Sequence, residues 1–264
     1  MKHLHGRSHH VAFSYPAKLR GRMYAYVLII LAAVFLIGSS SFLPISTTSL
    51  GTLFMAAFAT TSRLLVAYVC AIVVAVPLAL VATRSRAFSS VLLPLYDVLE
   101  SLPILAFFPI IVLFFINANF LEGAASIILF LSMLWNIVFT LVGGLQVIPR
   151  DITYAARVFG LRGFRYMYKV LLPSVFPQFV TGSILAFAQG WNLVIVAEAI
   201  HAYVPEGGSA TDLFGLGSIL VQSAASGDHS VFIAALMVMI GFIAFLNLFV
   251  WQRLLIYAQR FRFE

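Results

Sequence analysis

The sequence predicts an all-α membrane protein of six transmembrane helices, with both termini in the cytoplasm. Of its 264 residues, 62% are hydrophobic and only 9% are charged, and the mean hydropathy is +1.04. Soluble globular domains carry about 45–50% apolar and about 25% charged residues. The apolar residues are gathered into segments long enough to cross a bilayer, and the basic residues lie between those segments. Together these observations exclude an ordinary soluble domain.

Six apolar segments account for the predicted spans, because a helix needs about 20 apolar residues to cross the hydrocarbon core. They are residues 23–43, 57–82, 98–117, 123–145, 176–203 and 230–252. Helices are expected because an open strand leaves backbone polar groups unpaired in lipid. The first segment also has the basic flank and small residues of a cleavable signal sequence. The five spans that follow it favour a retained helix.

The distribution of Lys and Arg predicts the orientation, because these residues collect on the cytoplasmic side. With the N-terminus inside, the cytoplasmic parts hold every basic residue except Arg63. We therefore expect a basic tail (1–22), a membrane domain (23–255) with a cytoplasmic loop at 146–175, and a second tail (256–264). His3, His5, His9 and His10 lack acidic or cysteine neighbours, which favours a disordered tail over a metal site.

The 146–175 loop contains the signals of a short helix. Pro149 interrupts the fourth span, and Asp151 or Thr153 is suited to cap the start of the helix. Gly160 is suited to end it in the left-handed conformation that other residues resist. A second helix over about 163–172 is then expected to lead back into the membrane.

A helix of about two turns is too short to be stable alone in water, so this one is expected to pack against another surface. Ala155 and Ala156 allow close approach, while Tyr154 and Phe159 offer apolar contacts. The alternative is a connector lying on lipid headgroups, with its basic side chains toward phosphates. Those side chains are Arg162, Arg165 and Lys169.

The spacing of this loop resembles that of a known family. Tyr154-Ala155-Ala156-Arg157-Val158-Phe159-Gly160 is followed after nine residues by Val170-Leu171-Leu172-Pro173. Permeases of binding-protein-dependent ABC importers dock on their ATPases through a similar loop: Glu-Ala-Ala, three residues, Gly, nine residues, Ile, one residue, Leu-Pro. Tyr154 stands where Glu is usual. The resemblance implies an ATPase-coupling loop formed by Tyr154, Ala155, Ala156, Phe159, Gly160, Leu172 and Pro173.

Four further segments resemble the nitrate, sulfonate and taurine branch of these importers. They are Thr61–Tyr68, Glu100–Pro109, Trp191–Ile200 and Gly215–Leu220. The resemblance implies a type I importer permease with a five-helix core and one extra N-terminal helix. It also implies a bacterial inner-membrane location, a second permease (identical or homologous), a cytoplasmic ATPase dimer and an extracytoplasmic binding protein.

The chain has no Gly-x-x-x-x-Gly-Lys-Ser/Thr loop for cradling ATP phosphates. We therefore expect a transport component rather than an enzyme, with ATP and Mg bound by the partner ATPase. The resemblance favours a small anion such as nitrate, a sulfonate (taurine) or bicarbonate as substrate. The alternative is a secondary transporter or channel driven by ion gradients. Such carriers more often show inverted repeats and matching broken spans, which this sequence lacks.

Ionisable and polar residues within spans are costly unless they face protein or water, so they are candidates for the solute pathway. Arg63 either attracts an anion near the outer mouth or lies near a helix end, reaching headgroups or pairing with Glu198. Glu198 and His201 share a helix face, as do Gln189 and Asn192. A polar stripe along a pathway and hydrogen bonding between helices both fit these positions. The 204–229 hairpin either re-enters the membrane at 212–222 or is a solvated loop.

Overall fold

A computed structural model describes residues 47–200 and 212–261, and the regular elements in these ranges are all helices. They are α1 (Thr47–Ala82), α2 (Arg86–Ser101), α3 (Ile104–Asn117), α4 (Leu121–Gln146), α5 (Arg150–Val158), α6 (Gly163–Glu198), α7 (Leu216–Ser226) and α8 (His229–Phe261). The predicted all-α fold is therefore confirmed for these ranges. The predicted first span and both predicted chain ends lie wholly or partly outside them, so the count of six and the side of the termini stay predictions.

Four of these helices are long and apolar enough to cross a membrane, namely α1, α4, α6 and α8. The pair formed by α2 and α3 qualifies as a fifth span if it is counted as one element, but the two helices meet at an angle of 78°. The segment predicted as a span over 98–117 is therefore divided between α2 and α3. Leu102, which precedes Pro103, is extended, as expected because the proline ring disfavours the helical conformation there.

Residues 83–97, the connection between the second and third predicted spans, are mostly helix. Ser85 begins α2 by accepting a hydrogen bond of 3.3 Å from the amide of Phe88, the usual contact of a capping serine. Only residues 83–85 remain as a connection between α1 and α2. The length of this connection was overestimated because α2 carries polar residues among its apolar ones. The sequence of α2 therefore lacks the continuous apolar run that marks a span.

The second loop helix and the fifth span, predicted as separate elements, form the single helix α6. Pro173 does not interrupt it, because residues Met167–Leu171 form a π turn just before the proline. There the Leu172 amide donates to the Met167 carbonyl, five residues earlier. This wider hydrogen bonding accommodates a residue without an amide hydrogen. At its other end α6 stops at Glu198 rather than at 203, and α8 continues past the predicted 252 to Phe261.

Small residues allow α4 to pack closely against both α1 and α6. Ala67, Ala71, Ala75 and Ala79 recur every fourth residue along α1 and are buried. A Cβ at Gly182 of α6 would lie 1.9 Å from the Thr140 hydroxyl oxygen of α4. Close approach through small residues is the usual way in which helices associate in lipid, where the hydrophobic effect does not drive them together.

An aromatic cluster holds α8 against this core. The Tyr68 ring of α1 lies 4.9 Å from Phe187 of α6, and Phe187 lies 5.0 Å from Trp251 of α8, measured between ring centroids. The Tyr68 hydroxyl also bonds to the Ser183 hydroxyl at 2.7 Å. These contacts fix α1, α6 and α8 relative to one another.

Candidate functional site

Polar groups from four helices meet at one point of the bundle. Thr60 and Arg63 lie on α1, Glu122 in the first turn of α4, Glu198 at the end of α6, and Gly217 in the first turn of α7. We call this group the Arg63 cluster. It joins segments that are far apart in sequence, since the hydrogen bond between Thr60 and Leu216 links residues separated by 156 positions.

All three guanidinium nitrogens of Arg63 donate hydrogen bonds. Nε and Nη2 donate to the two carboxylate oxygens of Glu122 at 2.7 and 2.8 Å. Nη1 donates to Glu198. The fork-to-fork contact with Glu122 is the geometry in which arginine binds a carboxylate most strongly. The Arg63 and Glu198 side chains are 6% and 0% exposed, whereas that of Glu122 is 51% exposed. Arg63 is therefore a paired, buried cation.

The Glu198 carboxylate also accepts hydrogen bonds from a side chain and from the backbone. The Thr60 hydroxyl lies 2.8 Å from Oε1 and 3.1 Å from Oε2, and the Gly217 amide lies 2.7 Å from Oε2. The Thr60 oxygen in turn accepts from the Leu216 amide at 2.9 Å. A buried carboxylate is tolerated only when it is paired and hydrogen-bonded in this way.

Gly215 and Gly217 are required because a side chain has no room at either position, and not because of their backbone conformation. A Cβ at Gly215 would lie 2.2 Å from Oε2 of Glu198, and one at Gly217 would lie 2.7 Å from the Val194 carbonyl oxygen. Gly215 itself is extended, with φ of 179°. The two glycines let the first turn of α7 reach the end of α6, and Leu216 between them is fully buried.

The geometry of the cluster distinguishes between the two interpretations of Arg63 that the sequence allowed. Of the two interpretations, the geometry shows the pairing with Glu198, and it adds Glu122 as a second partner. Since each nitrogen already has an acceptor, the guanidinium is not an open anion site in this conformation. The arrangement instead fastens α7 and the end of α6 to α1 and α4.

The other pathway candidates do not form one stripe with Glu198. Gln189 and Asn192 are exposed on α6, whereas Glu198 faces the interior. The two exposed polar residues belong to a face that also includes Thr181, Leu185 and Ala188. These positions recur at the three- and four-residue spacing of one helix side. His201 lies outside the described residues.

The loop helix α5 starts earlier than expected and without a side-chain cap. It begins at Arg150 after Pro149, so neither Asp151 nor Thr153 caps it, contrary to prediction. Proline adopts this position easily because it has no amide hydrogen to leave unpaired. Asp151 lies in the first turn, where a negative charge is favourable. The Thr153 hydroxyl instead lies 3.3 Å from the Tyr166 hydroxyl of α6.

The end of α5 is as the sequence predicted. Gly160 has φ of +70°, in the left-handed region that favours glycine. Its amide donates to the Arg157 carbonyl, and the Leu161 amide donates to the Ala156 carbonyl, five residues earlier. This pair of bonds is the Schellman arrangement that closes a helix. Gly160 therefore reverses the chain and lets α6 begin at Gly163.

Large apolar side chains project from α5 and its end. Tyr154, Val158 and Phe159 are 58%, 84% and 81% exposed, whereas Ala156 is buried. Ala155 is also exposed. Leu172 and Pro173 lie farther along α6, next to the π turn. Apolar side chains this exposed mark a contact surface when they are contiguous.

The chain matches a family model over residues 71–255, from α1 to within α8. The family is described as the binding-protein-dependent transport system inner membrane component. The chain belongs to this family. The predicted family is thereby confirmed, while the docking role of the loop residues stays a prediction.

Curated relatives carry the names of nitrate, bicarbonate and taurine permeases. The chain is 31% identical to a nitrate import permease protein, NrtB, of Leptolyngbya laminosa, over 63% of this chain and 58% of the relative. It is 28% identical to the bicarbonate transport system permease protein CmpB of Synechococcus elongatus, over 56% and 52%. It is 24% identical to the taurine transport system permease protein TauC of Escherichia coli, over 54% and 51%. The matches thus span about half the length of these relatives.

The fold is also found in a solved transporter. A chain of the MetNI methionine ABC transporter, in an inward-facing conformation, matches with a TM-score of 0.61 and 19% identity. The match covers 81% of this chain and 99% of that one. At this identity the likeness concerns the fold alone.

Sequence reasoning missed three members of the Arg63 cluster: Thr60, Glu122 and Gly217. Glu122 directly precedes the fourth predicted span, and Thr60 directly precedes the Thr61–Tyr68 segment. One signal was present. An arginine isolated among apolar residues needs carboxylate partners, and Glu122 and Glu198 lie at the start of α4 and at the end of α6.

Proposed function

We propose that this chain is the transmembrane permease subunit of an ABC importer. With a second permease, identical or homologous, it forms the solute pathway across the bacterial inner membrane. The proposal depends on one observation about α5. This helix ends at Gly160 and has an exposed apolar surface, in a chain that belongs to the family. The proposed organisation has the α5 side and both termini in the cytoplasm.

In this proposal the segment 151–173 couples the chain to a cytoplasmic ATPase dimer. Tyr154, Val158 and Phe159 supply the apolar contacts, since buried aromatic side chains dominate the energy of most interfaces. The unbroken helix α6 then connects the docking surface to the membrane part, and Leu172 and Pro173 lie on that connection. The ATPase binds ATP and Mg, so this chain is a transport component and not an enzyme. An extracytoplasmic binding protein delivers the solute.

The proposed substrate is a small anion such as nitrate, a sulfonate (taurine) or bicarbonate. This choice rests on the names of the relatives, because Arg63 already has two carboxylate partners. The exposed polar positions Gln189 and Asn192 are the better candidates for the pathway wall. They lie on a face of α6 that no described helix covers.

Purification and reconstitution test the proposal. The chain is expressed with its genomic neighbours, purified without crosslinker, and placed in proteoliposomes. An ATPase subunit in stoichiometric amount, and uptake that requires ATP and the binding protein, are the expected results. Uptake that needs only an ion gradient, with no ATPase bound, would instead support a secondary transporter or channel and contradict the proposal.

A further inference from the structure

A basic cleft lies between α5 and the start of α6. It has a volume of ≈ 400 Å³ and is lined by Thr153, Arg157, Leu161, Arg162, Gly163 and Tyr166. Its lining residues come from α5, from the start of α6 and from the connection between them. The hydroxyls of Thr153 on α5 and Tyr166 on α6 lie 3.3 Å apart. Tyr154, Val158 and Phe159 do not line the cleft.

The cleft concentrates positive charge without a counterion. The ion pairs within the described ranges are those of Arg63 with Glu122 and Glu198, so Arg157 and Arg162 have no carboxylate partner there. Asp151 is the one acidic residue between positions 150 and 170, against five basic residues. Two guanidinium groups beside two hydroxyls offer several hydrogen-bond donors to a single oxyanion. Arginine is the side chain best suited to bind a carboxylate by two parallel bonds.

The cleft lies beyond the part of α6 that packs against the end of α4. Gln178 of α6 is level with the last turn of α4, since a Cβ at Gly144 would lie 2.9 Å from the Gln178 Cβ. The part of α6 from Gly163 to Gln178 is about 22 Å long at the helical rise. The cleft's two arginines and its place at this end of α6 make an acidic side chain of a protein partner the ligand that it suits best.

We propose that this cleft receives an acidic side chain of the ATPase, bound between Arg157 and Arg162. The inference rests on the proposed function and adds the chemistry of the partner surface. The apolar contacts of Tyr154 and Phe159 supply affinity, and the buried carboxylate fixes the register in which the two proteins dock. Charged contacts in interfaces act in this way more than through affinity alone.

The experiment measures binding of the co-purifying ATPase to the permease in nanodiscs made only of phosphatidylcholine. Arg157→Glu and Arg162→Glu place like charges opposite the acidic group, and each is expected to weaken binding at least tenfold. Arg165→Glu is the matched control, because Arg165 is also exposed but does not line the cleft; at most a threefold effect is expected. All three positions are at the surface, and unchanged melting temperatures confirm that the variants fold.

A second measurement identifies the contact directly. The amine introduced by Arg162→Lys should form an amide crosslink to an ATPase carboxylate on treatment with a carbodiimide, whereas Arg165→Lys should give no additional crosslink. Equal weakening by all three Glu variants would overturn the inference. If the wild-type chain binds no ATPase, the proposed function itself fails. If it binds and the cleft variants bind as tightly, only this inference fails.

Discussion

The carboxylate of Glu198 accepts a hydrogen bond of 2.7 Å from the backbone amide of Gly217, which ties the end of α6 to the first turn of α7. Arg63 and Thr60 donate to the same carboxylate from α1. One side chain thus connects three helices in a region where each lost contact leaves a buried polar group. The stability of this end of the bundle should therefore depend strongly on Glu198.

Replacing Glu198 should destabilise the protein far more than replacing Glu122, although both carboxylates bind Arg63. Breaking a buried pair by removing one partner costs about 3–5 kcal/mol, and Glu198→Gln should fall near the lower end because Arg63 keeps Glu122. Glu122 is half-exposed, so Glu122→Gln should cost about 1 kcal/mol or less. Unfolding free energies from titration with a denaturing detergent compare the two. A larger loss for Glu122→Gln would contradict the geometry.

Gly217→Ala should destabilise the protein because the added methyl group has no room. The nearest atoms that it would meet are backbone atoms, the Val194 carbonyl oxygen at 2.7 Å and the Ile195 Cα at 2.8 Å. These cannot move without shifting α6. Overpacking of this kind typically costs about 1–3 kcal/mol. The melting temperature in detergent is the measurement.

Gly241→Ala is the matched control for that substitution. Gly241 also lies in a helix, but nothing lies within 4 Å of a Cβ placed there. The melting temperature should therefore stay the same or rise, since alanine is the better helix former. Similar losses at both positions would show that the close approach at Gly217 is not real.

Substitutions at Gly160 test whether the left-handed turn at the end of α5 is needed to couple ATP hydrolysis to uptake. No atoms lie near a Cβ at this position, so only φ of +70° opposes a side chain. Gly160→Val should displace α5 and lower ATP-driven uptake more than tenfold. Gly160→Asn should retain most of it, because asparagine tolerates this conformation. ATP hydrolysis and uptake are measured together in proteoliposomes; equal behaviour of the two variants would argue against a conformational cause.

The turn at Gly160 and the Arg63 cluster differ in how far the sequence could predict them. Gly160 was predictable, because a glycine after a short helical pattern has few other uses and the motif is local. The Arg63–Glu198 pair was foreseen only as an alternative, since both charges lie in apolar spans. Glu122 was not foreseen, because its partner is 59 positions away and helical periodicity carries no information about contacts between helices. The bend at Leu102 and the π turn before Pro173 each depend on how the backbone accommodates the neighbouring proline.

Gln189 and Asn192 should affect transport without affecting stability, if the exposed face of α6 lines the pathway. Exposed substitutions usually change stability by no more than about 0.5 kcal/mol. Gln189→Met and Asn192→Leu should therefore melt like the wild type, yet change uptake at least fivefold. Asn247→Leu is the control, because Asn247 is an exposed polar residue on α8. Uptake unchanged in the two α6 variants would remove this face from the pathway.

Arg63 and Glu198 should show strong coupling when they are replaced together. Arg63→Met alone leaves Glu198 buried without its cation, and Glu198→Gln alone removes one of the two carboxylates that hold Arg63. In the double variant position 198 no longer carries an unpaired charge, and the amide oxygen introduced by Glu198→Gln can still accept from the Gly217 amide. The two losses should therefore sum to more than the double loss, by about 0.5–3 kcal/mol for groups in contact.

Uptake by the same double variant distinguishes a fastening role of Arg63 from direct binding of an anion. If Arg63 acts by holding α7 to α1, the double variant should regain part of the uptake lost in Arg63→Met, in parallel with its stability. If Arg63 binds the substrate, uptake should stay as low as in the single variant, because no guanidinium is present in either. Uptake and unfolding are measured on the same preparations, so a loss of folded protein cannot imitate a loss of binding.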